Sequence, residues 1–251
     1  PSWNRSSALE LEGVSRAYEG VSVLSGVTAS LKGYARIGVV GTSGSGKSML
    51  LRLLAGLEDP AAGAFVLDGR DMLTTLRYES WEEQVAYIPQ DPTIFHASLR
   101  ENLTFYNPQA SDERLHAVIE KLGLSELLAQ LPQGLDTLIG EGARGLSGGQ
   151  AQRIALARVL LDERKRIILF DEPTAHLDIE TEMELKQVMV EVMQGRLVVF
   201  ATHRLHWLDT LDYLLVLEEG KLVEQGTTTQ LLESATHFAT LVRALRGGEA
   251  A

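Results

Sequence analysis

Short, continuous apolar runs are the most regular feature of this sequence. Residues 37–40, 167–170 and 197–201 each form such a run, with the length of a β-strand and without polar alternation. This pattern is typical of strands that are buried on both faces. Each run leads into a loop and then into a stretch with helical spacing. The alternation predicts a parallel sheet covered by helices, and therefore an α/β fold.

The pattern changes in two places along the chain. In the segments 9–14 and 21–31, apolar positions are interrupted by Gly and Ser, which predicts antiparallel ribbons at the rim of the main sheet. Between residues 91 and 163 the strand signal disappears and helical stretches follow one another. We therefore divide the chain into a core, residues 8–90 and 164–246, and an inserted helical subdomain, residues 91–163.

Composition narrows the classes of function. The 251 residues are 45% hydrophobic, which is enough for a packed core. No run approaches the roughly 18 consecutive apolar residues of a membrane-spanning helix. There is no cysteine, which excludes disulfides and thiolate metal sites, and a net charge of −11 without a basic block argues against a nucleic-acid partner. Residues 1–7 lack the features of a signal peptide, so we interpret them as a trimmed linker and expect a cytosolic location.

The strongest candidate for chemistry is the segment GTSGSGKS, residues 41–48, which follows one apolar run and precedes a helical stretch. It matches the P-loop in its required setting, although a flexible Gly/Ser turn is the alternative. Its glycines allow a tight turn that aims N–H groups at phosphate oxygens. Lys47 would reach the β- and γ-phosphates, and Ser48 would bind Mg²⁺. The residues expected to bind nucleotide here are Gly41, Thr42, Ser43, Gly44, Ser45, Gly46, Lys47, Ser48 and Met49.

An acidic pair follows the apolar run at residues 167–170. Ligands cluster at such strand ends in open α/β sheets. Asp171 would hold Mg²⁺, and Glu172 would polarise the water that attacks the γ-phosphate. An acidic pair after a strand is by itself more typical of a helix N-cap, but the presence of Lys47 favours the metal interpretation.

The segment LSGGQ, residues 146–150, begins a long helical stretch. Ser147 and Gln150 have the spacing of a capping box. This does not explain Gly148 and Gly149, because each glycine in a helical turn costs up to about 1 kcal/mol relative to alanine. Bare N–H groups at a helix N-terminus are suited to binding an anion.

In this order, the three motifs resemble the nucleotide-binding domains of ABC transporters, and the resemblance covers nearly the whole chain. It implies that two such domains pack head to tail, so that residues 147–150 of one cover the nucleotide on the P-loop of the other. It also implies Mg²⁺-dependent ATP hydrolysis. Tyr18, which lies 23 residues before Gly41, matches the aromatic residue that stacks on adenine, although alone it could equally be a core or surface tyrosine.

Three further segments match the family. Gln90 in YIPQ corresponds to the glutamine that senses Mg²⁺ and contacts the membrane domain. His203 in ATHR corresponds to the switch histidine at the γ-phosphate, whereas a lone histidine there would more often be a capping or surface residue. AHLD, residues 175–178, corresponds to the loop that crosses the dimer interface.

Two segments, residues 95–103 and residues 137–150 with Glu141, resemble the exporter class of this family. That resemblance implies a transmembrane domain before residue 1 and a location on the cytoplasmic face of the bacterial inner membrane. GLSGGQAQR and DEPTAHLD further resemble the D-type subunits of heterodimeric thiol exporters required for cytochrome bd assembly, which implies export of cysteine or glutathione. The alternatives are an exporter of lipids, peptides or drugs, an importer subunit, and a soluble ABC ATPase that acts on nucleic acid.

Overall fold

The computed structural model describes residues 2–141, 145–234 and 237–248. Residues 1 and 142–144 therefore lie outside the described residues, although they belong to the segments interpreted above as a linker and as an exporter-type loop. The described chain forms two compact units. The first comprises Pro1–Tyr87, Arg166–Glu172 and Gly195–Ala251, and the second comprises Ile88–Lys165 and Pro173–Gln194.

The secondary structure follows the order of the chain. The strands are β1 (Ala8–Tyr18), β2 (Val21–Lys32), β3 (Arg36–Val40), β4 (Ala62–Leu67), β5 (Asp71–Leu73), β6 (Val85–Ile88), β7 (Ala97–Ser98), β8 (Leu138–Ile139), β9 (Ile167–Asp171), β10 (Leu197–Thr202), β11 (Tyr213–Glu218) and β12 (Lys221–Gly226). The helices are α1 (Lys47–Leu54), α2 (Glu79–Glu82), α3 (Leu99–Leu103), α4 (Asp112–Lys121), α5 (Ser125–Ala129), α6 (Gly148–Leu161), α7 (Ile179–Met193), α8 (Thr228–Ser234) and α9 (His237–Gly248). None of the helices in the described ranges combines the length and the apolar character needed to span a membrane.

A mixed sheet in the order β12-β11-β3-β10-β9-β6 dominates the first unit. Its central strands β11, β3, β10 and β9 are parallel, and β12 is antiparallel to β11. The three apolar runs of the sequence are β3, β9 and β10, and their residues are almost completely buried. The α/β fold with a parallel core is therefore confirmed.

A second sheet, in the order β2-β1-β4-β5, is antiparallel, as the interrupted N-terminal pattern predicts. Its inward residues, such as Leu9, Leu11 and Phe65, join one hydrophobic core with residues of α1 and β9. This core fixes α1, which follows the glycine-rich loop, and β9, which ends at the acidic pair.

The second unit is mainly helical and differs from the sequence prediction in two respects. It includes α7, which packs against α6 but lies outside the predicted insertion at residues 91–163. It also contains a short antiparallel pair, in which Ala97 is opposite Ile139. Two-residue strands are too short to show a periodic pattern, so the sequence indicated helices alone here.

Candidate active site

The loop between β3 and α1 depends on its glycines. Gly44 and Gly46 have φ values of 78° and 103°, a left-handed conformation that side chains rarely adopt. A Cβ on Gly41 would lie 2.4 Å from Ser45 Oγ and 2.5 Å from the carbonyl oxygen of Leu217. A flexible Gly/Ser turn therefore does not account for this loop, because the left-handed glycines and the close contact at Gly41 define one specific conformation.

The loop presents its polar groups at the start of α1. Thr42, Ser43 and Ser48 are exposed, whereas Ser45 is buried. Gly46 caps α1 without a side-chain hydrogen bond, so the first N–H groups of this helix remain available to an anion. The side chain of Met49 packs against the hydrophobic core, so it is the backbone of Met49 that can serve a ligand.

Lys47 is 5% exposed, and its ammonium group contacts the backbone of this loop. Nζ donates hydrogen bonds to the carbonyl oxygens of Gly41, at 2.8 Å, and Thr42, at 3.0 Å. It also lies 3.3 Å from Glu172 Oε1. The structure therefore brings together a P-loop cation and the proposed catalytic carboxylate.

Asp171 ends β9 and holds two hydroxyl groups. Ser48 Oγ donates to Oδ1 at 3.0 Å, and Tyr87 OH donates to Oδ2 at 2.6 Å. Burial raises the pKa of Tyr87, and its hydrogen bond to Asp171 raises that pKa further, so the phenol remains a donor. The sequence analysis did not identify Tyr87. This residue lies in β6, and only the position of β6 next to β9 in the sheet brings it to Asp171.

The oxygen donors of Ser48 and Asp171 are suited to Mg²⁺. No group of three or more His, Cys, Asp or Glu side chains within the described residues could hold a metal ion. A magnesium ion bound by one carboxylate and one hydroxyl relies on substrate phosphates and water for its other ligands, which is typical of nucleotide sites. The residues present therefore fit Mg²⁺ bound together with a nucleotide.

Glu172 has an unusual backbone conformation. Its φ is 47°, in the left-handed region, and its N–H donates to the carbonyl oxygen of Ala201 at 2.9 Å. Such a conformation costs on the order of 1–3 kcal/mol and persists only where the surrounding structure enforces it. His203 Nδ1 lies 2.8 Å from Glu172 Oε2. The carboxylate is thus placed between the ammonium of Lys47 and the imidazole of His203.

Tyr18 is the last residue of β1 and pairs with Val21 across a tight hairpin. The side chains are 60% and 67% exposed, respectively. Tyr18 is therefore not a core residue, and its ring is accessible for stacking on a base.

The segment LSGGQ lies in the second unit and begins α6. The predicted capping box is present: Ser147 Oγ accepts from the N–H of Gln150, and the Gln150 side chain accepts from the N–H of Ser147. A Cβ on Gly148 would lie 2.8 Å from Leu177 Cδ2, and one on Gly149 would lie 2.8 Å from Thr181 Cγ2. Close packing against Thr181 of α7 therefore accounts for Gly149, a cause that the sequence did not show, whereas at Gly148 only the flexible end of the Leu177 side chain would have to shift.

An open cavity of about 560 Å³ in the second unit brings several predicted residues together. Gln90, Glu141, Ser147 and Gly149 all line it, together with residues of the AHLD loop. The backbone of Gln90 is fixed, because its carbonyl oxygen accepts a hydrogen bond from Gln152 Nε2 at 2.9 Å. The part of Gln90 in binding Mg²⁺ stays a prediction.

Comparison with known proteins identifies the family. The family model described as ABC transporter matches residues 24–175. The chain is 46% identical over 248 residues to the glutathione/L-cysteine transport system ATP-binding/permease protein CydC of Bacillus subtilis, covering 99% of this chain and 43% of that protein. It is 38% identical over 214 residues to the human mitochondrial iron-sulfur clusters transporter ABCB7, covering 85% of this chain and 28% of that protein.

A solved structure of a bacterial Atm1-family ABC exporter with ATP bound superposes with a TM-score of 0.83 at 32% identity, covering 97% of this chain and 43% of that one. The chain thus spans less than half the length of these proteins. It belongs to the ABC transporter family and is an ATP-binding domain of that family, which hydrolyses ATP with Mg²⁺.

Tyr87→Phe should weaken the magnesium site. The variant removes the hydrogen bond to Asp171 Oδ2, which is worth about 1 kcal/mol, so the Mg²⁺ concentration for half-maximal ATPase activity should rise about fivefold. A titration of ATPase activity with Mg²⁺ measures this shift. Tyr213→Phe at the start of β11 is the matched control and should leave the titration unchanged. An unchanged midpoint in Tyr87→Phe would show that Tyr87 does not hold Asp171 in the working enzyme.

Gly149→Ala tests the two roles of the glycine. The added methyl group meets Thr181 Cγ2, so the free energy of unfolding should fall by about 1–3 kcal/mol. Adding Thr181→Ser removes Cγ2 while keeping the hydroxyl that donates to Asp178, so it should restore stability. If Gly149 also leaves room for a nucleotide at the start of α6, ATPase activity should stay low in the double variant, because the methyl group remains in the first helical turn. Full recovery of both stability and activity would mean that Gly149 serves packing alone.

Proposed function

We propose that this domain drives export across a membrane as the ATP-hydrolysing part of a longer ABC exporter. The observation that carries the proposal is the position of Glu172, whose carboxylate lies 3.3 Å from Lys47 Nζ and 2.8 Å from His203 Nδ1. An exporter with ATP bound is among the solved structures that the chain resembles. Glu141 and residues 95–103, which carry the exporter resemblance, support the same class.

The residues of the first unit have separate roles in hydrolysis. Lys47 and the N–H groups of the P-loop bind the β- and γ-phosphates, and Tyr18 stacks on the adenine. Ser48 and Asp171 hold Mg²⁺, which when bound neutralises charge on the phosphate oxygens. Glu172 accepts a hydrogen bond, and then a proton, from the attacking water. His203 keeps the carboxylate of Glu172 oriented through its contact with Oε2.

We further propose that the complete site forms between two domains packed head to tail. Residues 147–150 of the partner domain would then cover the γ-phosphate held by Lys47. Ser147 and Gly148 are exposed in this structure, so the start of α6 is accessible to a second domain. Gln90 lines the same cavity as Ser147. From the family resemblance we propose that Gln90 senses Mg²⁺ and contacts the membrane domain.

For the whole exporter we propose a heterodimer in the bacterial inner membrane with this domain on its cytoplasmic face. Cysteine or glutathione is the proposed substrate, because the chain is 46% identical to a protein named as a glutathione and cysteine transporter subunit. That relative is called CydC, so the D-type assignment made from the AHLD segment stays a prediction. Export of lipids, peptides or drugs is the second candidate, supported by toxin translocation proteins among the relatives.

Glu172→Gln should bind ATP but hydrolyse it at least about 100-fold more slowly, since an amide cannot accept a proton. With ATP and Mg²⁺ the variant should accumulate as a dimer in size-exclusion chromatography with light scattering. Lys47→Ala should instead weaken ATP binding. Glu120→Gln, at an exposed position of α4, is the charge-matched control. Turnover at the wild-type rate in Glu172→Gln would refute its role as the base.

Inverted membrane vesicles that contain the intact exporter should accumulate reduced glutathione or cysteine when ATP is added. Glu172→Gln should abolish this transport, because hydrolysis and transport are coupled. Thiols should also stimulate the ATPase activity, measured as phosphate release. Stimulation by lipids or drugs, together with no response to thiols, would reject the thiol substrate and leave the second candidate.

A further inference from the structure

The N-terminal segment before β1 is fixed to the core through Trp3. This side chain is 4% exposed, and its Nε1 donates to the carbonyl oxygen of Gly33 at 2.6 Å. The N–H of Gly33 in turn donates to the carbonyl oxygen of Ser7 at 2.8 Å. A Cβ on Gly33 would lie 2.6 Å from the carbonyl oxygen of Arg5. Trp3 and Ser7 are therefore buried against the turn between β2 and β3, and the backbone of Arg5 passes close to that turn.

Trp3 is connected to the far end of the helix that begins with the P-loop lysine. Its ring meets Trp81 edge to face, with centroids 6.1 Å apart and an interplanar angle of 81°. Trp81 Nε1 donates to the carbonyl oxygen of Leu54 at 2.8 Å, and Leu54 is the last residue of α1. A helix of eight residues is a rigid rod of about 12 Å, and at the other end of α1 lie Lys47 and Ser48.

Trp3 is also connected to the far end of the strand that carries the acidic pair. The N–H of Trp3 donates to Gln84 Oε1. The backbone carbonyl oxygen of Gln84 accepts from the N–H groups of Arg166, at 2.9 Å, and Ile167, at 3.0 Å. Ile167 is the first residue of β9, and Asp171 is its last. One residue near the N-terminus thus contacts the partners of both elements that place the catalytic groups: its ring contacts Trp81, and its backbone N–H contacts Gln84.

We propose that Trp3 is a positioning residue for ATP hydrolysis, which sets α1 against β9 from the ends opposite the active site. The inference rests on the proposed function, in which Lys47 and Glu172 act together on the γ-phosphate. If the polypeptide leading to Trp3 is displaced, the same two contacts carry the displacement to Lys47, Ser48, Asp171 and Glu172. A movement of the polypeptide at the N-terminal side of the domain can thereby change the geometry of the active site.

The test compares Trp3→Ala and Trp3→Phe with Phe238→Ala in the intact protein. Phe238 is buried in α9, outside the core that joins α1 and β9, so its removal should lower the melting temperature about as much as loss of Trp3. Assays are run at a temperature at which all variants are folded. We expect Trp3→Ala to lower kcat about 5- to 10-fold while KM for ATP changes less than about twofold, because misalignment affects the transition state more than binding.

Trp3→Phe keeps the contact with Trp81 but loses the hydrogen bond to Gly33, so its kcat should be intermediate. Phe238→Ala should keep kcat within about twofold of the wild type. A kcat in Trp3→Ala equal to that of the wild type, or a fall of the same size in Phe238→Ala, overturns the positioning role and leaves Trp3 as a packing residue only.

Hydrogen exchange gives a readout that does not depend on activity. In Trp3→Ala, loss of the indole should release the segment before β1, and with it the hydrogen bond from the N–H of residue 3 to Gln84. Amide exchange should therefore accelerate at Arg166 and Ile167 and around Leu54, whereas Phe238→Ala should leave these amides near wild-type protection. If the wild type proves to hydrolyse no ATP, the proposed function fails, and hydrogen exchange alone then decides whether Trp3 holds α1 and β9 in place. Unchanged protection at Ile167 and Leu54 in Trp3→Ala overturns this role of Trp3.

Discussion

The parallel pairing of β3, β10 and β9 is the constraint on which the rest of this site depends. In this register Thr202 lies opposite Val40, and Ala201 lies opposite Asp171, so the three strands end at one edge of the sheet. The loop after each strand carries a different chemistry: an anion-binding turn, a carboxylate pair and an imidazole. No single segment contains the whole candidate active site, because the three loops lie side by side only through the register of the sheet.

The sequence predicted the local features well, because they depend on residues close together in the chain. The capping box of Ser147 and Gln150 and the glycine-dependent loop at residues 41–48 are both present as expected. Ser48 and Asp171 lie 123 residues apart, and their proximity was expected only because a P-loop needs an acidic partner for its metal ion. The first two predictions need only a motif and the element beside it, and both can be identified in the sequence.

Contacts between distant segments could not be predicted in this way. Tyr87 reaches Asp171 only because β6 lies beside β9, and a single sequence gives no strand order. Trp3 and Trp81 read as ordinary aromatic residues until their contacts across the core are known. The packing demand on Gly149 comes from Thr181, and spacing along the chain does not show such a neighbour.

The contacts of Lys47 link nucleotide binding to Glu172, the carboxylate proposed as the catalytic base. Nζ has three protons, and in this structure its partners are Gly41 O, Thr42 O and the carboxylate of Glu172. A phosphate that draws the ammonium towards itself must take at least one of these positions. The two carbonyl groups belong to the loop that shapes the phosphate site, whereas Glu172 is a side chain with a second partner in His203. Loss of the Lys47 contact therefore frees Oε1 to accept a hydrogen bond from water, while Oε2 remains oriented by His203. The fixed φ of Glu172 keeps the direction of its Cα–Cβ bond constant, so only the side-chain torsions have to change when the cation moves.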